Sequence, residues 1–168
     1  VMKRTLLFIP LIMFHFFVQG QKIESVEVDK FTGQKRVNTE YVNIAAGFTN
    51  VFKFKLRSVD STCFLILMGT IAVGTVGIND PMIFLFEDKT TFKIYPTSVQ
   101  SYNIGVGQYE SDHYYHQYSI SISQLEELSV KKLISVRRYY NDVYSDIDVK
   151  EKNKDKIKSL STLFLKQL

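Results

Sequence analysis

Apolar and polar residues alternate one by one along much of this chain, the mark of strands with one buried face. Val26 and Val28 alternate with Glu27 and Asp29. After the Gly-containing turn Phe31-Thr32-Gly33-Gln34, Val37, Thr39 and Tyr41 recur at the same spacing, so residues 22–44 read as a hairpin. In Val51-Phe52-Lys53-Phe54-Lys55-Leu56-Arg57 the apolar side chains share one face and the cations the other. Met82-Ile83-Phe84-Leu85-Phe86 reads as a central strand. Glu87-Asp88-Lys89 turns it back into Thr91-Phe92-Lys93-Ile94-Tyr95, which Pro96 stops. Two further strands are expected at 99–108 and 114–122, joined by the polar tip Glu110-Ser111-Asp112-His113.

The run Cys63 to Ile78 is uncharged and, but for Thr70 and Thr75, apolar, with Gly69, Gly74 and Gly77 inside it and the breaker Asn79-Asp80-Pro81 after it. Its β-branched content favours a buried strand and a Gly-rich turn over a membrane segment, for which it is short. Ser123-Gln124-Leu125-Glu126 has the spacing of a capping box, which predicts a short helix to about Ser129.

A two-residue loop at Asn141-Asp142 fixes the register of the next hairpin by counting. Tyr140 then faces Val143, Val136 faces Ile147, and Ile134 faces Val149 on the buried side. Arg137 faces Asp146 on the other. From about Lys150, Ile157, Leu160, Phe164 and Leu168 form one apolar stripe, the pattern of an amphipathic helix docked on a sheet. The expected fold class is α+β: a mostly antiparallel sheet of hairpins, a short internal helix, and a C-terminal amphipathic helix packed on the sheet.

Met2-Lys3-Arg4, the apolar stretch Leu6 to Val18 and the small residue Gly20 read as a secretory signal peptide cleaved before Gln21. That leaves one β-rich domain over 21–168. Cations exceed acids by four in the whole chain. Lys3 and Arg4 belong to the leader, so the remaining excess is weak and argues against a nucleic-acid partner. The single cysteine, Cys63, excludes an internal disulfide and reads as a small buried apolar residue.

No cofactor or catalytic motif is complete. Gly69 to Gly74 has the outer spacing of a phosphate loop but lacks the Lys-Ser/Thr that would follow it. Gly105-Val106-Gly107 begins a dinucleotide fingerprint, but Glu110 stands where its third glycine belongs. His113 and His116, with Glu110 and Asp112 near, suggest a metal site or small hydrolase, yet residues three apart on a strand point to opposite faces. No metal and no cofactor are expected.

Tyrosine is the enriched polar type with a spatial pattern. Tyr109, Tyr114, Tyr115 and Tyr118 surround one hairpin; Tyr139, Tyr140 and Tyr144 surround another. Such rings offer contact area at low entropy cost, so a non-enzymatic binding module for an envelope protein, peptide or glycan is the expected function. A small enzyme using His113 and His116 and a membrane-associated protein held by 63–78 are the alternatives. No stable membrane insertion is expected after leader cleavage.

The start Gln21-Lys22-Ile23, the turn Asp29-Lys30-Phe31-Thr32-Gly33, and Leu133-Ile134-Ser135-Val136-Arg137 leading to Asp146-Ile147-Asp148-Val149-Lys150-Glu151-Lys152 resemble small exported Bacteroidetes proteins of uncharacterised function. The resemblance covers about half of residues 21–168. It implies a periplasmic or extracellular location in a Gram-negative cell, and brings no activity and no site residues.

Overall fold

The computed structural model describes residues 21–46, 51–69, 75–100, 114–140 and 143–168. The expected leader, most of the strand expected at 99–108, Tyr109, the polar tip at 110–113 with His113, the Gly105-Val106-Gly107 segment and the Asn141-Asp142 turn lie outside them. In chain order the elements are β1 (Ile23–Val28), β2 (Lys35–Thr39), β3 (Val42–Ala46), β4 (Val51–Val59), β5 (Thr62–Gly69), β6 (Met82–Phe86), β7 (Thr91–Pro96), β8 (Tyr114–Ser119), α1 (Ile122–Val130), β9 (Leu133–Tyr140), β10 (Val143–Asp148) and α2 (Glu151–Leu165). The strands form one sheet in the order β1-β2-β4-β5-β8-β7-β6-β9-β10, with β3 also on β4. Every pairing is antiparallel. The fold class is α+β, as the alternation implies.

Local chemistry sets the turns. The carboxylate of Asp29 accepts the N–H groups of Phe31 at 2.9 Å and Thr32 at 2.8 Å. Gly33 then takes φ 74°, a conformation that costs glycine least. β2 and β3 pair with successive halves of one edge of β4. Between them Thr39 Oγ1 accepts the N–H of Leu56 at 3.0 Å, which replaces a ladder bond at the bend.

The sheet is thinnest between β7 and β8, where only Tyr95–Ser119 and Pro96–Tyr118 are paired and proline has no N–H to give. The Gln100 side-chain amide mends the gap. It accepts the N–H of Gln117 at 2.8 Å and donates to the Gln117 carbonyl at 2.7 Å.

The sheet curls until its ends approach. Beyond β10, Lys150 N–H and Asn153 Nδ2 both donate to the carbonyl of Ile44 in β3, at 3.4 and 3.3 Å. Ile157, Leu160 and Phe164 of α2, with Leu125 and Leu128 of α1, join the buried core with Phe54, Leu56, Leu67 and Phe84 from the strands.

The register counted for the β9–β10 hairpin is the one observed: Tyr140–Val143, Arg137–Asp146 and Val136–Ile147. Val149 N–H bonds the carbonyl of Ile134 at 2.9 Å. Five details differ from expectation. A bulge where β9 meets β6 turns Leu133 into the core and leaves Ile134 only half-buried. The α1 cap is Ser121, not Ser123: its Oγ accepts Gln124 N–H at 3.2 Å, while Gln124 Oε1 accepts Ser121 N–H at 3.0 Å. The earlier start also lets Gln124 Nε2 reach the Lys93 carbonyl at 2.8 Å. β8 accordingly ends at Ser119 rather than 122. Val26 and Val28 sit exposed on the edge strand β1, and Leu168 lies past the end of α2 and is exposed.

Of the apolar run 63–78, β5 is a buried strand, and Val76 bridges to Gln100. Among the described residues no helix is long and apolar enough to cross a membrane.

Candidate functional site

Alternation along β8 sends Tyr114, His116 and Tyr118 to the buried face and Tyr115, Gln117 and Ser119 outward. Along β9 the same parity carries Arg138 inward beside Val136. β8 and β9 are separated in the sheet by β7 and β6. The curl nevertheless lets Arg138 reach across the interior, where its Nη1 donates to the hydroxyl of Tyr114. The guanidinium carbon lies 4.8 Å from the Tyr114 ring centre, 5.3 Å from that of Tyr140 and 5.7 Å from that of Phe52. The His116 ring is tilted against Tyr114 at 4.9 Å between centres.

Gly69 makes this packing possible. It pairs with Tyr114 across β5 and β8, and a Cβ there would stand 2.2 Å from the Tyr114 hydroxyl oxygen. The glycine singled out as the first of a phosphate-loop spacing thus leaves room for a tyrosine.

The cluster is sealed from solvent: Arg138 and Tyr118 are fully buried and His116 is 2% exposed. Its polar groups are nevertheless incompletely bonded. Arg138 Nε and Nη2, both ring nitrogens of His116 and the Tyr118 hydroxyl have no hydrogen-bond partner among the described residues. Burial pushes the hydroxyls of Tyr114 and Tyr118 above the ordinary phenol range, with the Arg138 charge opposing. Burial, reinforced by that charge, pulls His116 down to about 4. Around neutral pH the cluster therefore holds neutral imidazole, neutral phenols and one positive charge, since a guanidinium stays protonated in proteins. Among the described residues the one hydrogen-bond partner of that charge is the Tyr114 phenol. The carboxylate of Asp80, close enough to affect Tyr118, accepts the N–H of Gly77 at 2.7 Å.

Of the seven tyrosines proposed from sequence, the six that are described do not share one surface. Tyr114 and Tyr118 are buried in this cluster, and Tyr140 flanks it. Tyr139 and Tyr144 pack together at 5.7 Å on the outer face of β9 and β10, with the Arg137 guanidinium 4.0 Å above Tyr144. Tyr115 is 59% exposed. It lines an outer depression of about 470 Å³ with Tyr41, Lys55, Arg57, Gln117 and His116, which borders both this depression and the interior cluster. The cations of that depression are engaged: Lys55 pairs with Glu24 at 3.0 Å, and Arg57 Nε donates to Asn38 at 2.9 Å. Burial raises the Tyr41 hydroxyl there to about 12.

Cys63 is buried, and burial raises its thiol above the ordinary range. Among the described residues no three His, Cys, Asp or Glu side chains gather as a metal site would need. Arg138 escaped the sequence reading although its signal was present. Once Val136 faces the core, the residue two positions on faces it as well.

Fold and site together define a curled antiparallel α+β domain with a charged, aromatic-walled cluster inside the curl. Comparison with family models, with curated proteins and with solved structures finds no match to this chain.

Proposed function

We propose that this is an exported, non-enzymatic binding protein whose ligand is held in the interior cluster of Arg138, His116, Tyr114 and Tyr118, rather than on tyrosine-bearing loops. One observation carries the reading: a fully buried guanidinium with two nitrogens that have no hydrogen-bond partner among the described residues. Each unmade hydrogen bond of this kind costs about 1–3 kcal/mol, and burying an ion costs several kcal/mol more. A ligand that brings acceptor atoms to Arg138 removes that cost on binding, so the same defect that weakens the free protein drives complex formation. The neutral imidazole and the Tyr118 hydroxyl add donors and acceptors for orientation, and the rings of Phe52, Tyr114 and Tyr140 supply apolar walls. Export rests on the leader at 2–20 and sets the encounter in the periplasm or outside the cell.

The test is native mass spectrometry of protein purified gently from envelope extract, beside an Arg138→Met variant of similar side-chain length. A small molecule bound to the wild type and absent from the variant is the expected result. A wild-type protein that arrives bare and takes up nothing from the extract refutes the proposal. So does a compound retained by both forms.

A further inference from the structure

Two arginines adjacent in sequence point to opposite faces of β9, and the outer one displays what the inner one lacks. Arg137 grips Asp146 side-on: its Nε lies 2.6 Å from one carboxylate oxygen and its Nη2 2.7 Å from the other. Arg138 uses Nη1 for Tyr114, and the two nitrogens without a partner among the described residues are the same Nε and Nη2. These two N–H groups lie on one edge of the planar fork and match the spacing of two oxygens on one carbon.

We infer that the ligand is a monocarboxylate seated side-on on the Nε and Nη2 edge of Arg138, an assignment that rests on the interior cluster being the binding site. Charge and shape both select this class. The buried polar side chains among the described residues are Thr39, Ser58, His116, Arg138, Asn153 and Ser161, none of them an acid. Arg138 takes part in none of the ion pairs found among those residues. One guanidinium beside neutral His116, Tyr114 and Tyr118, with the Asp80 carboxylate acting on Tyr118 but bonded to the Gly77 N–H, balances no more than a single negative charge. A phosphate dianion would enter with a second charge uncompensated in a medium that penalises it heavily. A neutral amide offers one oxygen, and turns N–H groups toward the remaining guanidinium donor. The Tyr118 hydroxyl and a His116 nitrogen have donor capacity for the lone pairs that the fork leaves over. The aromatic walls favour a carboxylate carried on an apolar body, whether a fatty chain or an aromatic ring.

Calorimetric titration of the full chain after leader removal tests this with decanoate, benzoate and acetate, the amides decanamide and benzamide, and inorganic phosphate. Decanoate or benzoate should bind about 100-fold or more tighter than its own amide, the weight of two charge-assisted hydrogen bonds. Which of the two acids binds identifies a chain or a ring as the body. Arg138→Met and Arg138→Lys should both lose the acid, since a lysine ammonium offers no fork. Tyr118→Phe should weaken it about tenfold, one hydrogen bond's worth. If the arginine variants do not fold, the acid-against-amide ratio in the wild type decides alone. Equal binding of acid and amide, preference for phosphate, or failure of every acid overturns the carboxylate assignment while leaving an interior site standing. An acid bound equally by wild type and folded Arg138→Met removes the interior site itself.

Discussion

Acidification should destabilise this protein through one residue before most of its carboxylates begin to titrate. Burial, and secondarily the Arg138 charge, hold His116 at about 4, against 6.5 in an unfolded chain. Below pH 6.5 the unfolded chain takes up a proton that the folded chain refuses. The stability linked to His116 is thus complete above 6.5, declines as pH falls from there, and is gone below about 4. At about pH 5 the loss comes to about 2 kcal/mol, from 1.36 kcal/mol per pKa unit across the interval. With a urea m-value of about 2 kcal/mol/M, the unfolding midpoint should drop by about 1 M between about pH 7.5 and pH 5. The assay is urea unfolding across that window for the wild type, His116→Gln, and His113→Gln as a control for the other histidine of residues 21–168. Asp29, Asp88, Asp146 and Glu151 add little in this window: hydrogen bonds lower each in the folded chain, so the stability they carry is lost only as pH falls below their ordinary values of 3.8 for Asp and 4.5 for Glu. The wild type and His113→Gln should share the slope, and His116→Gln should lose most of it. Parallel curves for wild type and His116→Gln would refute the burial argument, as would a His116 proton resonance titrating near 6.5.

Three further outcomes follow from the packing. Phe164→Ala removes a fully buried ring from the α2 interface and should cost about 3–5 kcal/mol in urea unfolding; wild-type stability would mean α2 is not docked. Arg137→Ala and Asp146→Ala, combined in a double-mutant cycle, should give a coupling under about 1 kcal/mol that shrinks in high salt, because the two side chains are 40% and 47% exposed despite their bidentate geometry. Gly69→Ala should destabilise by about 1–3 kcal/mol, since its Cβ collides with the Tyr114 ring and hydroxyl. Adding Tyr114→Ala should recover part of that loss, and calorimetry that finds the two costs simply additive would show that the collision is not the cause.

The chain's own pattern determined most of the described strands, both helices and the register of the β9–β10 hairpin, although it ran β2 and β3 together as one strand. In that hairpin a short turn and two faces of opposite polarity leave only one alignment that buries Val136 while pairing Arg137 with Asp146. It also carried the parity that turns Arg138 inward. Capping was legible but ambiguous, because Ser121-Ile122-Ser123-Gln124 and Ser123-Gln124-Leu125-Glu126 both have the required spacing. Contact with the Lys93 carbonyl, on a strand far away in sequence, belongs only to the first. The face chosen by β8 was only weakly legible: Tyr114, His116 and Tyr118 on one side are somewhat less polar than Tyr115, Gln117 and Ser119 on the other. Hydrophobic alternation ranks such faces by a small margin. Only the curl of the sheet, which lets Arg138 cross to Tyr114 over the gap left by Gly69, decided which face became the interior and gathered the cluster there.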